Sequence, residues 1–230
     1  MRQTRRLLIP LFLAALVAVI APISVLAATA PNLGTTQGFA ILAGSGISST
    51  GGTVITGDVG LSPAAGSAIT GLTALQVTGT IYAVDGSGPA GSVVNPGLLT
   101  QAKADLVTAF NATAAQGPGT TEPADLVGLT LTPGVYTVPA AATNLSGTVT
   151  LNGPGVFIFI SPSSLITSPG ARVVLTGGAS PCNVFWLVNS QATLDTTTTF
   201  VGTIMALTTI VVNNGVNGNG RLLARNGAVT

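Results

Sequence analysis

The sequence contains no histidine, a single cysteine and few charged side chains, with seven Lys or Arg and six Asp or Glu among 230 residues. Charged residues make up 6% of the chain, roughly a quarter of the share in ordinary soluble domains. A Ser-His-Asp triad, a Cys/His zinc site and an internal disulfide cannot be built from this composition. Most familiar enzyme mechanisms are therefore excluded. Since Cys182 has no partner, we expect it to be a small buried residue.

The distribution of the few charged residues also argues against a partner that is bound by electrostatic attraction. Arg2, Arg5 and Arg6 lie at the very start, and the chain after Ala27 has four basic and six acidic residues. Nucleic acid binding needs clustered Lys and Arg, so it is excluded. The carboxylates are scattered along the chain without the spacing of a calcium loop or of a glycosidase pair. We expect no metal, no cofactor and no small-molecule substrate.

The first residues have the pattern of a targeting segment. Three arginines precede an uncharged, mostly apolar run over residues 7–28, and Val25 and Ala27 supply the small residues that signal peptidase reads. We predict a signal peptide over residues 1–27, cleaved after Ala27, and one secreted domain over residues 28–230. The alternative is an uncleaved membrane anchor, because the run is long enough to span a bilayer.

Most of the remaining chain has the pattern of a β protein, with one exception. Short runs rich in Val, Ile, Thr and Phe alternate with Gly, Pro, Ser and Asn every six to ten residues, which predicts short strands joined by tight turns. The exception is a helix predicted over about residues 96–116. Asn95 and Pro96 suit its start, and Gly117 with Pro118 suits a left-handed cap at its end. The apolar positions with helical spacing are Leu99, Ala102, Leu106, Ala109 and Phe110.

Three types of strand recur in order, which favours a β-solenoid. Near-continuous apolar runs at 156–160, 183–188 and 203–207 suit a sheet that is covered on both sides, as a docked helix requires. Each is followed by a less apolar run, at 163–167, 192–196 and 208–212, and a third set includes 148–151 and 172–176. Coils with three strands each bury their inward side chains by stacking. An antiparallel sandwich explains the short strands equally well, but not this succession.

Several segments, in this order, resemble the microbial ice-binding protein family (DUF3494-type). They are Phe39 to Gly44, Thr56 to Pro63, Leu131 to Tyr136, Cys182 to Trp186 and Gly220 to Thr230. The resemblance covers residues 32–230 and implies a mainly β fold: a discontinuous right-handed β-solenoid of triangular cross-section with one long α-helix alongside. It also implies a secreted antifreeze protein with a flat face that adsorbs to ice, giving thermal hysteresis and inhibiting recrystallisation. Members usually continue beyond the last Ala-Val-Thr, so we expect a final strand cut short at Thr230.

The second strand type supplies the predicted ice-binding face. Outward Thr on stacked strands offers methyl and hydroxyl groups at spacings of about 4.8 Å and 6.7 Å, the same order as oxygen repeats in ice. We align these strands on Leu165, Leu194, Ile210 and Val229 as inward residues. One outward column then holds Ser164, Thr193, Thr209 and Ala228, and the next holds Ile166, Asp195, Val211 and Thr230.

The candidate ice-binding residues follow from this alignment, with two more in case a bulge shifts the register by one. They are Ser164, Thr167, Thr193, Asp195, Thr196, Thr209, Val211 and Thr230.

Other interpretations of the same residues stay open. Thr is a good strand former, so its abundance alone favours a purely structural role. A cell-surface adhesin or envelope protein suits a Thr-rich, low-charge solenoid, and a polysaccharide-active β-helix enzyme is less favoured because its groove needs clustered charges. We expect a monomer whose partners are the ice surface and ordered water.

Overall fold

A computed structural model describes residues 27–139 and 141–230. Except for Ala27, the predicted signal peptide lies outside the described residues. No helix within these two ranges is long and apolar enough to cross a membrane.

The single α-helix, α1, spans Pro96–Ala114 and begins as predicted. The Asn95 side chain accepts a hydrogen bond from the Leu98 amide at 3.0 Å, which caps the first turn. The predicted left-handed cap at Gly117 is wrong. The Gly117 amide instead donates to the Ala114 carbonyl at 3.2 Å in a tight turn, and the left-handed residue is Gly119, with φ of 66°. The last carbonyls thus find donors without a left-handed Gly117.

The strands form a solenoid with three faces, and every strand pair in it is parallel. One face lies under α1 and is called the helix-covered face. Its strands are β1 (Phe39–Ala43), β3 (Asp58–Leu61), β5 (Ile81–Ala83), β6 (Val93–Val94), β7 (Thr120–Thr121), β9 (Gly134–Thr137), β12 (Phe157–Ser161), β15 (Val184–Val188) and the second halves of β17 (Thr199–Ala206) and β19 (Asn217–Ala224).

The second face is a seven-stranded sheet that no helix covers, and we call it the open face. Its strands are β2 (Gly46–Ser48), β4 (Ile69–Thr70), β10 (Ala142–Leu145), β13 (Ser164–Thr167), β16 (Ala192–Leu194), β18 (Ile210–Val212) and β20 (Ala228–Val229). The third face consists of β8 (Thr130–Leu131), β11 (Thr148–Asn152), β14 (Arg172–Thr176), the first halves of β17 and β19, and the bridge between Ile55 and Val77. Short 3-10 turns occur at Gly34–Gly38, Gly66–Ala68, Ala74–Gln76 and Pro181–Asn183.

The stacking order of the coils does not follow the chain, so the predicted discontinuous solenoid is confirmed. On the helix-covered face β1 pairs with β19, with Ile41 opposite Leu222 and Leu42 opposite Leu223. On the open face β2 pairs with β20, with Ile47 opposite Val229. The N-terminal coils therefore stack directly on the C-terminal coil. Residues 181 positions apart in sequence, such as Ile41 and Leu222, become neighbours in one ladder.

A column of aromatic rings fills the inside of the solenoid. Tyr136, Phe159, Trp186 and Phe200 follow one another along the coil axis, with ring centroids 5.5, 4.0 and 5.2 Å apart. The Trp186 indole donates to the Val201 carbonyl at 3.0 Å, so its one polar atom is satisfied inside the core. Ring packing of this kind contributes about 0.5–1.5 kcal/mol per pair beyond the burial of apolar area.

The helix docks through the stripe that its sequence predicts. Leu99, Ala102, Leu106, Ala109 and Phe110 are all buried, in one cluster with side chains of the helix-covered face. Strand β15 is buried at every position, since its side chains face either the core or the helix. The prediction of doubly apolar strands under a helix is therefore confirmed.

A lysine also ties the helix to the sheet. The Lys103 ammonium donates to the carbonyls of Ala224 at 3.0 Å and Arg225 at 2.5 Å, at the end of β19. Burial lowers the pKa of Lys103 to about 8, and the nearby Arg225 charge adds to that effect. The Arg225 guanidinium lies 5.5 Å from the ring centroid of Phe110. These contacts hold α1 against the coil on which β1 stacks.

The register of the open face differs from the alignment made on the sequence. Leu165 lies opposite Ala192, and Ala192 lies opposite Ile210, so the alignment of Leu194 with Leu165 and Ile210 is wrong by two residues. A shift of two keeps every side chain on its own side of the sheet, so hydrophobic pattern cannot detect it. Turn length sets the register instead. Ser161 lies opposite Val188, and the four-residue step from Ser161 to Leu165 equals the step from Val188 to Ala192, which places Ala192 opposite Leu165.

The expectation that Cys182 is buried is also wrong, because the side chain is exposed. It lies in the 3-10 turn Pro181–Asn183, at the corner that precedes β15. The apolar run that follows it is the buried part of this segment.

We predict that Leu106→Asp destabilises the whole domain. The substitution places an unpaired carboxylate in a fully buried position between the helix and the sheet, which should cost at least about 3 kcal/mol. The matched control is Ala104→Asp, because Ala104 is exposed on the same helix and should lose less than about 1 kcal/mol. Melting followed by circular dichroism measures both. Equal melting temperatures for the two variants would show that the helix does not dock through Leu106.

We further predict that cysteines at positions 193 and 211 form a disulfide in a Cys182→Ser background. Thr193 lies opposite Val211, so their Cα atoms are about 4.8 Å apart, within disulfide range. The control pair is Thr193→Cys with Thr209→Cys, which lie on a diagonal about 7–8 Å apart. Oxidation followed by non-reducing mass spectrometry reads the result. Preferential cross-linking of the control pair would support the sequence-based register instead.

Candidate functional site

The open face is the one uncovered and uninterrupted sheet within residues 27–139 and 141–230. The helix-covered face is buried by α1, and the third face is broken by a groove of about 970 Å³ beside β19. The open-face ladder is continuous, because β20 pairs with both β18 and β2, and the groove borders it at Val211, Thr230 and Ser48 on the side toward the third face. Seven strands at about 4.8 Å give a surface about 29 Å long. It is the natural candidate for contact with an extended, regular partner.

Along the middle of the open face runs one column of outward side chains, which we call the central column. In the ladder, Thr193 lies opposite Ile166 and Val211, and Ser48 lies opposite Thr70. Thr230 continues the ladder, since its amide donates to the Ile210 carbonyl at 3.0 Å and its carbonyl accepts from the Val212 amide at 2.7 Å. From β10 to β4 the column reads Asn144, Ile166, Thr193, Val211, Thr230, Ser48 and Thr70.

A second outward column lies two residues earlier on each strand, and we call it the leading column. Ala142 lies opposite Ser164, and Gly46 lies opposite Ala228. The column reads Ala142, Ser164, Gln191, Thr209, Ala228 and Gly46. Neither column contains a charged residue. Together they present small hydroxyl, amide, methyl and aliphatic groups at strand spacing.

The support beneath these columns is tightly packed. Leu165, Ala192, Ile210 and Val229 alternate with the outward residues and are at most 4% exposed. Buried side chains of this kind hold the strands at fixed height and spacing. The outward groups are therefore positioned before any partner arrives.

Five predicted site residues do lie on the open face. Thr193, Val211 and Thr230 belong to the central column, whereas Ser164 and Thr209 belong to the leading column. The predicted grouping of Thr193 with Ser164 and Thr209 is wrong, for the register reason given above. The alternation of apolar residues in the sequence predicts that these five residues share a face. It does not predict which column each of them occupies.

Asp195 lies at the margin of the face, one column beyond the position predicted for it. Its carboxylate accepts hydrogen bonds from the Asn213 side chain at 2.9 Å and from the Thr196 amide at 2.7 Å. The Asn213 hydrogen bond, followed by the Thr196 bond, lowers the pKa of Asp195. The carboxylate thus stays ionised at neutral pH and is anchored within the turn, away from the uncharged middle of the face.

Two candidates do not lie on the open face. Thr167 is 1% exposed and its hydroxyl lies 2.8 Å from that of Thr198 inside the solenoid, so its selection as a surface residue is wrong. The same hydroxyl accepts a hydrogen bond from the Asp195 amide. Thr196 lies beyond the end of β16, in the turn toward the third face, where it lines the groove. No one-residue bulge shifts the register here, since Ala192 to Leu194 pair without interruption with Ile210 to Val212.

Four polar outward residues of this face were not predicted from the sequence. Ser48 and Thr70 come from the N-terminal coils, and Asn144 and Gln191 complete the two columns. A weak signal exists for the first of these, because Gly46 to Ser48 and Gly227 to Thr230 both alternate small, aliphatic and hydroxyl residues. Recognising it requires knowing that the two ends of the chain stack.

The carboxylates among the described residues do not form a metal-binding cluster. No group of three or more Asp, Glu or Cys side chains within residues 27–139 and 141–230 could hold a metal ion. Asp85 and Asp125 are held in local turns, Asp85 by Ser87 and Gly66 and Asp125 by Val127 and Ser146. These carboxylates therefore have structural partners.

Comparison with known proteins agrees with this geometry. The family described as Ice-binding-like matches residues 41–230. An ice-binding protein of Nostoc sp. (strain HG1) is 40% identical over 219 residues, which cover 89% of this chain and 72% of that protein. One of Colwellia sp. is 38% identical over 234 residues, covering 97% and 89%.

Solved structures show the same relationship. The crystal structure of an ice-binding protein from an Antarctic biological consortium matches with a TM-score of 0.80 and 38% identity, over 92% of each chain. The DUF3494 domain of Shewanella frigidimarina ice-binding protein 1 matches with a TM-score of 0.79 and 34% identity, over 89% of this chain and 95% of that one. The family match and these likenesses each span most of the chain, and the chain belongs to the ice-binding protein family.

Proposed function

We propose that the protein binds ice through its open face and thereby inhibits ice growth and recrystallisation. The observation that carries the proposal is the open face itself: seven parallel strands, uncovered, unbroken and without charge in both outward columns. Family membership indicates that the ligand is ice, since the relatives above are named ice-binding proteins.

The chemistry of the two columns suits contact with ordered water. Thr supplies a hydroxyl that hydrogen-bonds to water and a methyl group that shapes the layer next to it. Outward residues repeat at about 4.8 Å across the strands and about 6.7 Å along them, spacings of the same order as oxygen repeats in ice. Charged side chains hold their own hydration shells and protrude. The absence of charged residues from the two columns therefore favours a flat surface that disturbs the adjacent water little.

Adsorption to ice depends on many weak contacts made at once by a surface that is already in place. A flexible surface would lose much of this energy in ordering its side chains. The buried row beneath the open face removes that cost, because it fixes the strands in advance. A single copy presents the whole face, so we infer that a monomer suffices.

The side chains of the described residues weigh against the alternative functions. An enzyme acting on polysaccharide needs clustered catalytic groups, whereas the described carboxylates are bound into separate turns. An adhesin needs a specific protein or glycan contact, for which an uncharged surface of small groups offers little recognition. We therefore place the protein among binding proteins rather than enzymes.

We also propose that the domain acts outside the cell. The basic start, the apolar run and the small residues before Ala28 are the features of a cleaved signal peptide. Ice forms in the surroundings of a cell, so a secreted domain meets its ligand there.

We predict that Thr193→Lys or Thr209→Lys abolishes most ice activity with little loss of stability. A protruding, strongly hydrated ammonium should lift its neighbours away from the lattice. Both sites are only partly buried, so unfolding free energy should change by about 0.5 kcal/mol or less. Thermal hysteresis and circular dichroism measure the two effects.

The matched controls are Thr148→Lys and Thr150→Lys on β11 of the third face. They introduce the same charge on a different side of the solenoid and should keep their hysteresis. Loss of activity in these controls, with activity kept in the Thr193 and Thr209 variants, would place the ice-binding surface on the third face.

We also predict that ice-growth inhibition survives exhaustive treatment with a chelator. Adsorption by hydroxyl and methyl groups needs no cation. Thermal hysteresis before and after treatment with EDTA and dialysis is the measurement. Loss of activity with the fold retained, and recovery on adding calcium, would contradict the proposed mechanism.

A further inference from the structure

The C-terminal coil has an extra residue at the corner that leads from the helix-covered face to the open face. In the coil of β17 and β18, Ala206 and Ile210 bound this corner and lie four residues apart. Their ladder partners on the C-terminal coil are Ala224 and Val229, which lie five residues apart. The C-terminal coil therefore carries one residue more here than the coil on which it stacks.

The N-terminal coil, on the other side, also crosses this corner in four residues. Leu42 lies opposite Leu223, and Gly46 lies opposite Ala228. The C-terminal coil advances five residues over the same distance. An extra residue of this kind acts as a β-bulge, which removes backbone groups from the regular ladder. The bulge lies at the junction between the two ends of the chain.

The bulge diverts a backbone hydrogen bond. The Gly44 and Ser45 amides both donate to the Gly227 carbonyl, at 2.8 and 3.1 Å. Because Leu42 lies opposite Leu223, a regular parallel ladder would direct the Gly44 amide to the Ala224 carbonyl. Ala224 is fully buried, and a buried carbonyl without a donor is costly. The Ala224 carbonyl therefore needs a donor from outside the ladder.

Lys103 of α1 supplies this donor. Its ammonium donates to the Ala224 carbonyl at 3.0 Å and to the neighbouring Arg225 carbonyl at 2.5 Å. An ammonium has three donors on a flexible stem, so one group can bond to both carbonyls. The Arg225 guanidinium, 5.5 Å from the ring centroid of Phe110, adds a second contact between the corner and α1. The helix thus holds the backbone of the corner that contains the extra residue.

We propose that Lys103 is a positioning residue for the ice-binding plane. Its ammonium keeps the extra residue within the corner, so that β20 enters the open face in register with β2. A slip of one residue would turn Val229 outward and Ala228 inward, which would break both outward columns at the junction. The effect on ice activity rests on the proposed function, whereas the effect on the corner can be measured without ice.

The strand that follows the corner does little to fix its own register. β20 has two residues, Ala228 and Val229, and of these only Val229 is a buried side chain. Gly46 and Ala228, which face each other across the junction, are too small to oppose a slip by steric exclusion. Short strands with small residues specify their register weakly. The conformation of the preceding corner therefore decides where β20 pairs.

The first experiment compares Lys103→Met and Lys103→Gln with the control Ile158→Val. Methionine keeps an apolar stem and removes every donor, whereas glutamine keeps an uncharged donor. Ile158 also packs in the cluster under α1, but it lies on β12, three strands from β19. Its substitution lowers stability without touching the corner.

Hydrogen exchange at the Gly44 and Ser45 amides, measured by NMR, reads the state of the corner. We expect exchange at least about tenfold faster in Lys103→Met, an intermediate rate in Lys103→Gln, and a rate within about twofold of the unsubstituted protein in Ile158→Val. Thermal hysteresis should fall below about half in Lys103→Met and stay above that level in Ile158→Val.

A compensating deletion gives a sharper readout. Removing Asn226, which is exposed, returns the corner to four residues and directs the Gly44 amide to the Ala224 carbonyl. We expect Lys103→Met with Asn226 deleted to regain slow exchange at Gly44 and more than about half of the original thermal hysteresis. A general loss of stability on removing Lys103 would not depend on the length of this corner.

Each contrary outcome has a separate meaning. Unchanged exchange at Gly44 and Ser45 in both Lys103 variants, or equally fast exchange in Ile158→Val, would overturn the role of Lys103 at the corner. Faster exchange with undiminished thermal hysteresis would show that Lys103 does not position the ice-binding plane. No recovery in the Asn226 deletion would show that Lys103 does not act through the extra residue. Absence of hysteresis in the unsubstituted protein would contradict the proposed function, and the exchange rates would still decide the role at the corner.

Discussion

The stacking of the first coil on the last is the contact on which the rest of the structure depends. β1 and β2 hydrogen-bond in parallel to β19 and β20, so backbone groups at both ends of the sequence satisfy one another. Without this junction each half would expose a sheet edge and an apolar interior. The junction also aligns Ser48 with Thr230, so that separate parts of the sequence share one outward column. The unbroken length of the open face follows from it.

The three faces of the solenoid have different roles. The helix-covered face buries the α1 stripe and gives the chain a second hydrophobic cluster outside the solenoid core. The open face carries small uncharged groups over a packed row of aliphatic side chains. The third face holds Arg172, exposed Val174 and the groove beside β19. Among the described residues, only the open face combines an uncovered, continuous ladder with two outward columns that lack charge, so the functional assignment depends on comparing the faces rather than on counting threonines.

Much of this fold is predictable from sequence because local patterns determine it. Helical spacing identified Leu99 to Phe110, and continuous apolar runs identified β12, β15 and β17. The column of Thr193 was not predictable, since a shift of two residues preserves the inward and outward pattern. Thr167 is hydroxylated yet buried, because Thr198 supplies a hydrogen-bond partner that sequence does not reveal. The places of Ser48 and Thr70 in this column could not be predicted, because they depend on the non-sequential stacking of the coils.

The central claim is that the N-terminal and C-terminal coils form one ice-binding plane. It is tested most directly by attaching a bulky polyethylene glycol maleimide at Ser48→Cys in a Cys182→Ser background and measuring partition of the protein into growing ice. Ser48 is far from Thr193 in sequence but shares its column. The account predicts that the label excludes the protein from ice, whereas the same label at Thr108→Cys, on the exposed side of α1, leaves partition intact. Undiminished partition of the Ser48-labelled protein would contradict it.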